Sequence, residues 1–132
     1  MNYIKILLLF IAFNGYAQAN LPKEPALPIT EENIIGKWVF EDVINDKTAE
    51  ENAEGKELLE GTFVEFRADK TYIIEFIMQL EGTWSLDTAT SVVKTNTSRH
   101  KDHTWKIHHV YKGHIVMSRN DATQQIIFKA QQ

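Results

Sequence analysis

The sequence has no cysteine. A disulfide framework, a thiolate metal site and a cysteine nucleophile are therefore all excluded. It also has no basic cluster. Lysine and arginine number 14 against 18 acidic residues, for a net charge of −4, which leaves no electrostatic footprint for nucleic acid. Its three prolines are confined to Pro22, Pro25 and Pro28, so nothing interrupts the strand-forming stretch that follows. The unbroken apolar run Ile6 to Phe13 falls well short of the roughly 20 residues that a membrane-spanning helix needs. No Gly-x-Ser-x-Gly elbow, Cys-His pair or His-Glu-x-x-His motif occurs, and no serine has a neighbouring base that the sequence identifies. A non-enzymatic protein is the expectation.

The start of the chain reads as an export leader. Lys5 is its only charge, Ile6 to Phe13 is its apolar stretch, and Ala17-Gln18-Ala19 has the small-x-small form of a signal-peptidase site. Cleavage is expected before Asn20, sending the protein to the periplasm or the medium. With no cysteine after that point, a lipid anchor is excluded. The remainder, about 113 residues, is one domain by size. Without disulfides its stability must come from a buried core and a hydrogen-bond ladder. Each buried aromatic contributes roughly 4–6 kcal/mol gross, as an upper bound.

Residues 20–29 read as an extended proline-rich linker. Thr30 to Ile35 reads as one helical turn, capped by Thr30 with Glu31 and Glu32 at its positive end. From Gly36 onward the apolar period becomes two. Trp38, Phe40 and Asp42 fall on one face, as do Val64 and Phe66. The run Tyr72, Ile74, Phe76, Met78 and Leu80 has the cleanest alternation. Trp84 and Leu86 follow, then a weaker strand over 89–95, then Trp105, Ile107 and His109, then Ile115, Met117 and Arg119, and last Ile126, Phe128 and Ala130. About eight strands with turn signals between them predict an all-β, up-and-down antiparallel barrel. Three hairpins test the register, because directly opposed residues share a face. A turn at 68–70 pairs Phe66 with Tyr72, one at 81–83 pairs Leu80 with Trp84, and one at 111–113 pairs Trp105 with Arg119 and His109 with Ile115. Residues 45–60 are acidic and rich in helix formers, suggesting either a lid or a disordered connection.

With Gly36-Lys37-Trp38, Phe66-Arg67-Ala68-Asp69-Lys70-Thr71-Tyr72, Gly82-Thr83-Trp84-Ser85-Leu86 and Trp105-Lys106-Ile107 in place, the chain resembles a small bacterial lipocalin-like (calycin-type) protein over residues 34–130. Lys70 stands where that family's turn usually carries glycine. The resemblance implies the barrel and names no ligand.

Up-and-down strands sort the turns onto two ends. Trp38 marks a closed end, with Phe66, Tyr72 and Phe128 as its structural core. The other end is an open funnel, where Asp42, Met78, Leu80, Trp84, Trp105, Met117 and Arg119 point inward and His103 lies at the rim. Such a site suits a small hydrophobic or amphipathic ligand. Its apolar wall would bury a chain or ring, and Arg119 would pair with an anionic head group. In the alternative, Asp42 or a backbone carbonyl satisfies Arg119 and side chains fill the barrel. The protein would then be an interaction or structural module, using outward Val39, Ile73, Ile77 and Val116. His100, Asp102 and His103, placed on a mouth loop, are the one local histidine-carboxylate group. Three loop residues are too few for a convincing metal centre, and neither metal nor cofactor is expected. Adjacent His108 and His109 should face opposite sides of their strand.

Overall fold

The computed structural model describes residues 21–44, 49–97, 100–120 and 122–131, with side chains described outside 49–53 and 100–102. The expected leader and its cleavage site lie outside these residues. In chain order the elements are α1 (Glu31–Ile34), β1 (Gly36–Ile44), α2 (Ala49–Leu59), β2 (Phe63–Phe66), β3 (Thr71–Phe76), β4 (Met78–Asp87), β5 (Val92–Thr97), β6 (His100–Val110), β7 (His114–Arg119) and β8 (Gln125–Ala130). Each strand pairs antiparallel with its neighbour in sequence, and β1 pairs with β8, so the sheet closes into an eight-stranded barrel. Closure removes the exposed sheet edge that would otherwise template aggregation.

The inner positions fill one apolar core. Trp38, Val64, Phe66, Tyr72, Ile74, Trp84, Val93, Trp105, Ile107, Met117 and Phe128 are all buried in it, with Leu80 and Phe76 at its margin. Ile34, fully buried at the end of α1, closes the bottom. Thr30 caps that turn as expected, its hydroxyl accepting from the Asn33 N–H. Gly36 enters β1 at φ 148°, a backbone that only glycine adopts readily. Trp38 Nε1 then donates to the Ile34 carbonyl at 2.8 Å, satisfying an acceptor that the short helix leaves without an internal partner.

One of the three expected hairpins holds, and the 111–113 hairpin holds only at its pairs farther from the turn. Phe66 pairs with Tyr72 across the 68–70 turn, and Trp105 pairs with Arg119. Lys70, in the glycine position of the first turn, takes φ 72°. Asp69 holds that turn by accepting from both the Thr71 N–H and its hydroxyl.

The other expectations need correction. The turn placed at 81–83 does not exist, because Met78–Asp87 is one strand and the chain reverses at Ile77, pairing Phe76 with Met78. A reversal that pairs residues two apart keeps their parity, so the inward alternation passes through it unbroken and hides it. Gly82 lies in mid-strand between Tyr72 and Thr97. A Cβ there would sit 1.8 Å from the Asn96 carbonyl oxygen, so glycine serves close strand approach at this position rather than a turn.

Bulges account for two more corrections. An extra residue at Glu41 turns Asp42 outward, where it meets Lys56 of α2 at 2.9 Å, and brings Val43 inward. An extra residue at His108 pairs His109 with Val116 rather than Ile115, and Val110 takes the inner place opposite Ile115. Both histidines consequently lie outside the core. His108 bonds the Ser118 hydroxyl at 2.8 Å, and His109 stacks on Tyr111. His100 to His103 belong to β6 and not to a loop.

Candidate functional site

The closed end is solid. Trp84, expected in the mouth, is found here. Once the chain reverses at Ile77, β4 carries Trp84 back to the β2–β3 turn. Its Nε1 donates to the Arg67 carbonyl at 2.9 Å and its ring meets Phe66 edge-on at 5.5 Å. Phe66 in turn stacks on Tyr72 at 5.6 Å. Lys70 lies over the outer side of the Trp84 ring and pairs with Glu31. The four residues expected to form the closed-end core, Trp38, Phe66, Tyr72 and Phe128, are all at most 3 % exposed.

A polar layer crosses the barrel just above this floor. Gly82 stands opposite Tyr72 and has no side chain, which leaves the phenol room to reach across the interior. Trp105 Nε1 donates to the Tyr72 hydroxyl at 2.9 Å. Thr95 lies near the Tyr72 hydroxyl, and its Oγ1 donates to the His103 carbonyl at 3.0 Å. Burial pushes the Tyr72 hydroxyl up to about 12, against the smaller opposing effects of Trp105, Arg119 and Thr95. It is a neutral donor across the physiological range.

Arg119 borders that layer from β7, with its guanidinium 5.7 Å from the centre of the Phe76 ring. Asp42 faces outward toward Lys56, so it does not serve as the counter-ion. Among the described residues Arg119 has no ion pair, and its buried Nε makes no hydrogen bond. Thr97 Oγ1, on β5 beyond Gly82, is likewise buried and unbonded. A third such atom, Lys70 Nζ, is in ion-pair contact with Glu31 at the opposite end. Buried donors without partners are uncommon in folded proteins, and two of them flank one polar layer here.

The expected lining residues divide by depth. Trp105 and Met117 are buried at 2 % and 0 % and form a floor. Leu80 is half-buried, Met78 is 50 % exposed at the rim, and Arg119 is partly exposed between them. Trp84 is not part of this group. Sequence reading missed Thr95, Thr97 and Phe76, and treated Tyr72 as packing alone. The available signal was polar threonines at inward positions of the weak fifth strand.

The other candidates are dispersed. Ile73 and Val116 are buried, Val39 is half-buried, and Ile77 is 86 % exposed at the β3–β4 tip. The side chains of His100 and Asp102 lie outside the described residues, and no group of three or more potential ligands is arranged for a metal among those described. His108 is held below the usual histidine range, first by burial and then by His109 and Lys106.

No protein-family model matches the chain, and no curated protein does. Among solved structures, the barrel is similar to the crystal structure of a DUF4847 family protein from Bacteroides vulgatus ATCC 8482. The TM-score is 0.50 at 16 % identity, covering 77 % of this chain and 98 % of that one. At that identity the likeness carries the fold alone.

Proposed function

We propose that the barrel binds one small amphipathic molecule through its open end, its anionic or hydrogen-bond-accepting head directed to Arg119 and Thr97. The apolar part would lie against Phe76, Leu80 and Met78, above the Trp105–Met117 floor. The observation that supports this reading is the pair of buried donors left unbonded among the described residues, Arg119 Nε and Thr97 Oγ1, near the bonded Trp105–Tyr72 pair. Leaving such groups unsatisfied costs about 1–3 kcal/mol each, a penalty that a ligand acceptor would remove. The protein is read as an exported binder, periplasmic or secreted, with neither enzymatic activity nor a cofactor.

The test is titration of intrinsic tryptophan fluorescence with dodecanoate. Trp105 should report saturable binding, and Arg119→Met should weaken it by about tenfold or more, as loss of a charge-assisted bond would. Equal binding by the variant would remove Arg119 from the proposal.

A second reading has its own observation. Trp105, Tyr72, Phe66, Phe128 and several aliphatic residues are fully buried and fill the lower barrel. On this reading the interior is structural, and contacts come from exposed apolar residues at the rim such as Ile77 and Met78. Wild-type protein that binds neither dodecanoate nor dodecanol, yet elutes as a discrete oligomer, would favour it.

A further inference from the structure

The proline-rich stretch before α1 is laid against the outside of the barrel at defined contacts. Leu27 N–H donates to the Val110 carbonyl at 2.7 Å as an isolated antiparallel bridge. Leu21 packs on an outer cluster of Tyr111, Val116 and Ile127. Between them Glu24 reaches the β6–β7 turn. One of its oxygens accepts from the Gly113 N–H at 3.0 Å, and the other meets His114 Nδ1. On its far side, His114 Nε2 lies 3.0 Å from the Glu41 carboxylate of β1.

Both imidazole nitrogens thus face carboxylate oxygens from different parts of the chain. A neutral ring has one N–H and can serve only one of them, whereas an imidazolium serves both. The Glu41 bulge that turned Asp42 outward also supplies this second carboxylate. Other charged groups around the ring are Lys129, its register neighbour on β8, and Lys112 in the adjacent turn. Tyr111 lies beside Glu24 and is raised above its ordinary value, first by burial and then by that carboxylate.

We infer that residues 21–29 form a strap latched over β7 and β8 by the Glu24–His114–Glu41 triad. It is closed while the Glu24 carboxylate is ionised, and it opens when that carboxylate is protonated. Opening uncovers Tyr111, Val116 and Ile127, an apolar patch that is 0–6 % exposed beneath the strap. The acid limb follows from Glu24, whose carboxyl is held below its ordinary 4.5 by the His114 bond and then by the Gly113 N–H. A depressed folded-state value means the latch contributes above the ordinary carboxylate range and fails as pH falls through the folded value.

The test is amide hydrogen exchange on the purified chain, corrected for intrinsic rates. Leu27 and Gly113 report on the strap, and Met117 serves as the core control. Protection of Leu27 should drop about tenfold as pH falls below the ordinary carboxylate range, while Met117 stays protected. Glu24→Gln should abolish that acid step, and His114→Gln should lower Leu27 protection at neutral pH. Tryptic cleavage after Lys23 at neutral pH should be faster in Glu24→Gln than in the wild type. Leu27 protection independent of pH, or an acid step unchanged in Glu24→Gln, would overturn the inference.

Discussion

The two ends of the barrel treat their polar atoms differently. At the closed end and floor every indole N–H has a short partner: Trp38 bonds Ile34, Trp84 bonds Arg67 and Trp105 bonds Tyr72. In the upper half two donors, Arg119 Nε and Thr97 Oγ1, lie buried without one among the described residues, and the β3–β4 tip exposes Ile77 at a left-handed φ of 66°. The lower half follows the rule that buried polar groups are paired. The upper half departs from it at these two atoms.

The contrast is sharpest for substitutions at the floor. Gly82→Ala would drive a Cβ into the Asn96 backbone, and no side-chain adjustment relieves a 1.8 Å contact. It should cost about 4 kcal/mol or more, or prevent folding, in urea unfolding. Trp38→Ala, which empties the plug and leaves the Ile34 carbonyl without its partner, should cost about 3–5 kcal/mol by the same measurement.

The polar layer responds to pH. Because the buried Tyr72 hydroxyl is raised to about 12 from 10.0, its contribution is complete below the ordinary value and is lost as pH rises through the folded one. Tyrosinate absorbance should show the Tyr72 hydroxyl titrating last, and alkaline unfolding should begin in that interval. Tyr72→Phe should remove the late step.

Smaller effects belong to the upper half and have the opposite sign. Ile77→Gly should stabilise the protein by about 1 kcal/mol, since a β-branched residue is strained at positive φ and this one is exposed. Thr97→Val keeps the shape and deletes an unbonded hydroxyl, so its stability should be unchanged or higher by less than about 1 kcal/mol. A large loss in either variant would show that the open end is built by the same rules as the floor.

Much of this was legible from period-two alternation. The strand number, the inward faces of β2, β3 and β7, and the four closed-end residues all follow from it. What stayed hidden are features that leave parity intact or change it by one residue. The Ile77 reversal preserves phase, so nothing in Tyr72 to Leu80 marks it, and Trp84 was placed at the wrong end as a result. The bulges at Glu41 and His108 each insert one residue without a sequence marker, and they reversed the orientations expected for Asp42 and His109. Gly82 looked like a turn because glycine serves close backbone approach as readily as reversal. For the site, Arg119 was visible as a lone inward cation. Its neighbours Thr95 and Thr97 were not, because threonine suits either face of a strand.

The proposed binding site rests on Arg119 Nε–H, which has no acceptor among the described residues. The most direct test follows the Arg119 Nε–H resonance by NMR during dodecanoate titration, together with the unfolding free energy of Arg119→Met. The account predicts a saturable downfield shift in the wild type and a variant at least as stable as the wild type. An unmoved resonance, with a variant destabilised by more than about 2 kcal/mol, would show the guanidinium to be a structural element of a filled barrel.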